Sequence, residues 1–393
     1  MKQIYLDNAA TTSVDPKVIS AMLPYFSDKF GNASSNHYHG REAKQAVEEA
    51  RAKIAKTLGA KKDEIYFTSG GTESNNLALK GVSLATGENR NHIITTQIEH
   101  PSILAPCKEL EKQDFEITYL KVDNEGFLDI DELKNAITDK TLMCSVVHGN
   151  NEIGTIQDIF EIGKICRKNN IYFHTDACQS YTKTKLNVKN QNIDLATINA
   201  HKIHGPKGVG ALYVKQGTEI KAIQQGGEHE GKVRAGTENV PGIIGFAEAA
   251  KISMDSRHVS YMTKLRDKMI KSACEIEKTR LNGPKGDNRL CNNTNFTFSG
   301  VEGEAVGGYL EAEGICSSTG SACSSHSLSP SHVLTAIGLN KEEANSSIRL
   351  TLSRFNTMDE IDYLNEKLPL AVKKLRAMSS RWGVIKNVFK KNN

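Results

Sequence analysis

The period of the apolar positions changes several times along the chain. Between residues 43 and 58, Ala43, Ala46, Val47, Ala50, Ile54 and Leu58 recur at the spacing of one helix face, and "EIYFTS" (64–69) then predicts a strand. The apolar runs "HIITTQI", "FEITYLKV", "LMCSVVH", "IYFHTD", "IDLATIN" and "VGALYV" follow, mostly separated by helix-like or loop segments. Runs of this kind suit a sheet with covered faces, so the chain reads as one α/β domain up to about residue 250. Beyond "VPGIIGFAEAAKI" the pattern shifts to a long charged helix at about 258–279 and a turn region "LNGPKGDNR". The strand-like "NNTNFTF" and "IRLTLS", flanked by helical segments, then predict a smaller α+β unit. No internal repeat or low-complexity stretch breaks this order.

Composition agrees with two domains. The chain has 393 residues, 38% of them hydrophobic, and single cores stop growing at roughly 250–300 residues. A net charge of +4 from 50 basic and 46 acidic residues gives no reason to invoke nucleic acid or an anionic membrane as a partner; the Lys-rich end "KNVFKKNN" reads as a solvated tail. Eight cysteines are scattered without a CxxC pair, which fits free thiols in a reducing compartment and a cytoplasmic location. The start "MKQIYLDNAATTS" lacks the apolar core of a signal peptide, and no stretch approaches the roughly 20 apolar residues of a membrane span.

Candidate chemistry enters at the strand ends. "FTSGGTESNN" runs from a strand through two glycines into a helix starting near Thr72, where free N–H groups and a hydroxyl favour a phosphate. "FHTDACQS" places Asp176 at the C-terminal end of an apolar strand, where α/β proteins gather ligands. "NAHKIHGPKGVGALYV" puts Lys202 in a loop 26 residues further on (202 minus 176). Alone, these are a tight turn, a helix cap and a solvated lysine. Together they are the groups pyridoxal phosphate requires: an amine for its aldehyde, a carboxylate for its ring nitrogen and a cradle for its phosphate. His100 in "IEHPSIL" offers a flat ring to stack on the pyridine and to exchange protons. Cys323 lies in "STGSACSSHSLSPSH", with almost nothing large and apolar around it, where a structural thiol would normally be buried.

The motifs "YLDNAATT", "FTSGGTESNN", "EHPSI", "NNEIGTIQ", "HTDACQS", "HKIHGPKGVGALYV", "RAGTENV", "STGSACSS" and "SSIRLTLSRFNT" occur in the order seen in cysteine desulfurases of the NifS/IscS type. These belong to the class V, fold-type I pyridoxal phosphate enzymes, and the resemblance spans nearly the whole chain. It implies a large α/β domain with a mostly parallel sheet covered by helices (15–250). A smaller α+β domain (1–14 and 251–393) would carry the cysteine loop at about 317–332. By resemblance, Lys202 bonds the cofactor aldehyde, Asp176 pairs with the ring nitrogen and His100 stacks and handles protons. Gln179 and Asn151 contact the ring oxygen, and Asn151 also reaches the substrate carboxylate. Gly71, Thr72, Asn199 and His201 match phosphate-site positions, and Thr237 matches one that reaches the phosphate of a neighbouring subunit, which implies a homodimer. Arg349 resembles the carboxylate-binding arginine, whose planar fork suits an amino acid.

The implied activity removes sulfur from L-cysteine, leaving L-alanine and a persulfide on Cys323 that passes to acceptors such as iron–sulfur cluster scaffolds. A carrier that moves between pocket and acceptor belongs on a Ser/Gly loop. His326 is a candidate for favouring its thiolate, and Cys316 reads as a small core residue. The chain departs from the family pattern at Asn199, where a serine is usual, at His204, where an aromatic or apolar residue is common, and in its terminal segment "SSRWGVIKNVFKKNN". A selenocysteine lyase, a related class V aminotransferase and a catalytically silent assembly scaffold are the competing readings. Retention of both Lys202 and Cys323 argues against the scaffold. No resident metal is implied, "HYH" and "HKIH" lacking a closed set of ligands; transient ligation of a transferred cluster by Cys323 stays open.

Overall fold

Each of the six apolar runs forms a strand, and β-branched and aromatic side chains dominate several of them. A computed structural model describes residues 3–86, 90–319 and 330–391, with side chains to residue 378. Its strands are β1 (Ile4–Tyr5), β2 (Ile65–Thr68), β3 (His92–Thr96), β4 (Glu116–Leu120), β5 (Thr141–Val147), β6 (Tyr172–Asp176), β7 (Leu195–Asn199) and β8 (Gly210–Val214), then β9 (Thr279–Leu281), β10 (Asn293–Phe298), β11 (Ile315–Cys316), β12 (Ser318–Thr319) and β13 (Ser347–Thr351).

Strands β2 to β8 make one seven-stranded sheet in the order β2-β8-β7-β6-β5-β3-β4. Its neighbours from β4 through β7 pair in parallel, whereas β8 runs antiparallel to both β7 and β2. Every residue of β3, β5, β7 and β8 is buried, the signature of a sheet covered on both faces. On one face Ile54 and Phe246, from helices Tyr38–Leu58 and Val240–Ser253, pack with Phe173 and Ile198. On the other, Leu77 and Ile103, from helices Gly71–Thr86 and Pro101–Glu111, pack with Ile93, Leu142 and Leu212. Parallel register brings Val147 opposite Asp176 and Asp176 opposite Thr197, so the C-terminal ends of β5, β6 and β7 share one edge.

A second sheet, β12-β13-β10-β9, buries Phe296 and Leu350 against Leu265 and Leu364, from helices Ser256–Cys274 and Met358–Lys391. The charged helix starts at Ser256 because Asp255 caps it, accepting the Arg257 N–H. It ends before 279 because Thr279 is drawn into pairing with Phe298.

The N-terminal segment joins this second core. β1 pairs in parallel with β11, and Ile4 and Leu6 are buried among its side chains. Burying such a side chain contributes roughly 1.5–3 kcal/mol, which holds residues 7–12 where they pass the end of the large sheet. Leu6→Ala is therefore expected to lower the unfolding free energy by about 2–5 kcal/mol, read from the denaturant midpoint. An unchanged midpoint would show that this segment is not held by its apolar anchor.

Candidate active site

The shared edge of β5, β6 and β7 opens onto a cavity of about 350 Å³, within the size range of small-ligand sites. The start of helix Gly71–Thr86, the cap of helix Pro101–Glu111, the turn at Ala9–Ala10 and Arg349 of β13 complete its walls. Gly71, Thr72, His100, Asn151, Asp176, Gln179, Asn199, His201, Lys202 and Arg349 all line it.

Asp176 is buried at the end of β6. Its Oδ2 accepts from Asn75 Nδ2 at 2.7 Å and its Oδ1 from the backbone N–H of Cys178 at 2.9 Å. These two donors fix the carboxylate, which still has capacity for a further donor. Asn75 Nδ2 also donates to Ser102 Oγ at 2.8 Å, and the Ser102 hydroxyl lies 2.8 Å from His100 Nδ1. His100 caps its helix: Nδ1 accepts the Ser102 N–H at 3.1 Å. With Nδ1 acting as acceptor, the neutral ring carries its proton on Nε2. Burial, reinforced by the Lys202 charge, holds the His100 pKa below its ordinary 6.5 despite the opposing pull of Asp176.

Lys202 follows β7, and its Nζ donates to the carbonyls of Ala9 and Ala10. Gln179 Nε2 donates to the same Ala9 carbonyl at 2.8 Å. His201 Nδ1 lies 3.2 Å from Thr11 Oγ1, and burial followed by the charges of Lys202 and Lys207 pushes its pKa down to about 3. It is therefore neutral at physiological pH. Arg349 Nη1 donates to the Asn151 carbonyl at 3.0 Å, and Nη2 to Asp7 Oδ1 at 3.0 Å.

The donors and acceptors match a flat, phosphorylated ring aldehyde. Asn199 Nδ2 lies 3.5 Å from where a Gly71 Cβ would stand, so an amide donor able to meet an anion flanks the helix start. At Gly71 a Cβ would meet Cys178 Sγ at 2.5 Å, so the helix start presents bare backbone N–H groups where an anion is favoured. Asp176 suits a ring N–H, and Lys202 an aldehyde.

Other expected residues fall elsewhere. Thr237 does not line this cavity but a smaller one of about 50 Å³ beside Arg234 and Glu230. Cys323 and His326 lie outside the described residues. Just beyond that stretch, Ser331 Oγ donates to Glu152 Oε2 at 2.5 Å, and His332 Nε2 donates to the Glu99 carbonyl at 2.9 Å. Cys316 is half-buried opposite Tyr5 rather than a core residue, β1 and β11 pairing as a two-stranded sheet of their own. His204 is buried, with Nδ1 2.8 Å from the Ser13 carbonyl. Burial, then Arg354, pushes its pKa to about 4, so it is a neutral hydrogen-bonding prop for the N-terminal turn. Among the described residues, no three His, Cys, Asp or Glu side chains converge on a metal position.

Reading the sequence alone passed over Asn75, Ser102, Cys178 and Asp7. Asn75 had a signal, since it sits four residues after Gly71 on the same helix face. Asp7 lies in the quoted "YLDNAATT", but nothing in that stretch names its partner, which is 342 positions away.

The chain matches the class-V aminotransferase family over residues 4–364. It is 51% identical over 385 residues to a protein named cysteine desulfurase IscS from Dictyoglomus turgidum, covering 96% of each chain. Among solved structures, it resembles a NifS-like protein at 35% identity with a TM-score of 0.89, covering 95% of this chain and 100% of that one. It also resembles SspA in complex with cysteine at 37% identity with a TM-score of 0.80, covering 90% of this chain and 100% of that one.

Proposed function

The chain belongs to the class-V aminotransferase family and is a cysteine desulfurase dependent on pyridoxal phosphate; from that premise we propose which of its residues perform the reaction. L-cysteine is the proposed substrate, a reading supported by the related SspA structure being a complex with cysteine. Bound pyridoxal phosphate supplies an aldehyde and an electron sink. Gly71, Thr72, Asn199 and His201 would hold its phosphate, Asp176 its ring nitrogen and Asn151 and Gln179 its ring oxygen, all of them lining one cavity. Arg349 and Asn151 hold the substrate carboxylate. Lys202 Nζ moves the proton at the substrate's Cα, and His100 Nε2, facing a largely buried pocket, holds or delivers a second proton. Cys323 as thiolate attacks the substrate sulfur: the new S–S bond forms, the C–S bond breaks with its electron pair staying on the carbon fragment, and that fragment takes up a proton at its β-carbon and leaves as L-alanine. What carries this reading is that Lys202, Asp176, His100 and Arg349 line one cavity. Mass spectrometry after brief exposure to L-cysteine tests it, the expected result being one added sulfur on the Cys323 peptide. Addition on another peptide would overturn the assignment.

The hydrogen bonds of Ser102 give a second expectation. Ser102→Ala should lower kcat about tenfold with little change in KM, as loss of a group that orients a proton-handling residue does, and Ser102→Thr should restore it. Unchanged kcat in the alanine variant would remove Ser102 from the machinery. If neutral His100 is required, its lowered pKa places the acid limb of kcat below pH 6.5, the ring protonating only at lower pH. An acid limb above 6.5 would contradict this role.

The chain is further proposed to act as a homodimer. Leu23, Phe26, Phe30 and Tyr38 are 58–66% exposed, more large apolar surface than a monomer usually leaves in one region, and Thr237 stands outside its own chain's main cavity. Light scattering should give twice the chain mass. The proposed domain division is 15–250 against 1–14 with 251–393, and the sulfur acceptor is proposed to be an iron–sulfur scaffold protein. A cytoplasmic location is supported by seven unpaired cysteines among the described residues; no described helix is long and apolar enough to cross a membrane.

A further inference from the structure

Arg349 reaches the cavity from the second sheet with its side chain only 6% exposed. Nη1 donates to the Asn151 carbonyl and Nη2 to Asp7 Oδ1 at 3.0 Å and Ser318 Oγ at 3.3 Å, while the buried Nε has no partner. A buried donor without an acceptor is costly, so the donors of this guanidinium are not all used within the chain, and Arg349 lines the cavity where an incoming carboxylate would meet it. Yet its charge is not open. Asp7 is the one carboxylate among the described residues in ion-pair contact with it. Backbone bonds hold Asp7 there: Asn8 N–H donates to the Thr351 carbonyl and Thr351 N–H to the Leu6 carbonyl, so Asp7 pairs in parallel with Thr351, two residues beyond Arg349 on β13. The nearby Glu152 carboxyl is turned to Ser331.

We propose that Asp7 is a resident counter-ion that sets how tightly the site holds carboxylates. It shares Arg349 with the incoming amino acid and keeps affinity for substrate and alanine product below what the arginine alone would give. The inference rests on the reading of Arg349 as the carboxylate-binding residue. Two like charges on one fork repel each other in a poorly solvated pocket. Asp7 thus preserves the arginine's orientation between turnovers and favours departure of alanine, at the cost of weaker binding.

The test uses the holoenzyme. Asp7→Asn keeps an oxygen that can accept from Nη2 and removes only the charge. In calorimetric titration, this variant should bind L-alanine about tenfold more tightly and show a lower KM for L-cysteine. L-alaninamide, which has no carboxylate, should bind wild type and variant alike. If alanine binding is unchanged or weaker in Asp7→Asn, or if alaninamide tightens equally, the counter-ion role is wrong and Asp7 only orients the fork. Asp7→Ser is the second neutral variant; loss of the cofactor band in both would make Asp7 purely structural and likewise overturn the proposal. Arg349→Gln separates the underlying reading: alanine binding that survives there removes Arg349, not Asp7, as the carboxylate site.

Discussion

Lys202→Ala is expected to yield a protein lacking the visible absorption band of the wild type, with sulfide release from L-cysteine reduced on the order of 10³-fold or more. The amine is the group on the cavity wall that can bond an aldehyde and then carry a proton, and its neighbours accept hydrogen bonds rather than replace it: Nζ donates to the Ala9 and Ala10 carbonyls. His201 does not substitute for it, since its half-buried ring is neutral and lies beside Thr11. Lys202→Arg should fail equally, because a guanidinium keeps its proton at any pH the protein survives. A visible band and normal turnover in Lys202→Ala would move the cofactor lysine elsewhere.

Cys323→Ser should keep the band yet lose sulfide release under reductant, again by on the order of 10³-fold, because a hydroxyl is a far weaker nucleophile than a thiolate toward sulfur. Three of the described cysteines make poor substitutes. Burial pushes the Cys107 thiol up to about 12 and the Cys291 thiol to about 11. Cys178, on the cavity wall itself, is raised by burial and by Asp176. Normal desulfuration by the serine variant would refute the loop assignment. Brisk transamination of other amino acids would favour the aminotransferase reading. Turnover of L-selenocysteine that survives the loss of the thiol would favour the lyase.

Much of the molecule was legible before any coordinates. The six apolar runs are strands, and the Gly-Gly junction after "FTS" leads into a helix at Gly71. Asp176 closes its strand as read. These features are local: a strand's period, a helix start and a glycine turn are each encoded within a few residues. Boundaries were less legible, as with the charged helix, whose end is set by the pairing of Thr279 with Phe298 rather than by its own composition. Cys316 shows the same limit from the other side, since its exposure depends on which strand lies next to β11.

The amino-acid order alone determined the element types, the sheet-with-helices class and the residue kinds able to serve a phosphorylated aldehyde, because short-range periodicity and turn chemistry carry that information. Only the folded chain decided that Asn75 Nδ2 joins Asp176 to Ser102 and through it to His100. The fold alone also sets Asp7 against Arg349 and the Ala9 carbonyl against both Gln179 and Lys202. Those contacts join residues up to 342 positions apart, and their distances follow from how two sheets and an N-terminal turn pack together, which no local pattern records.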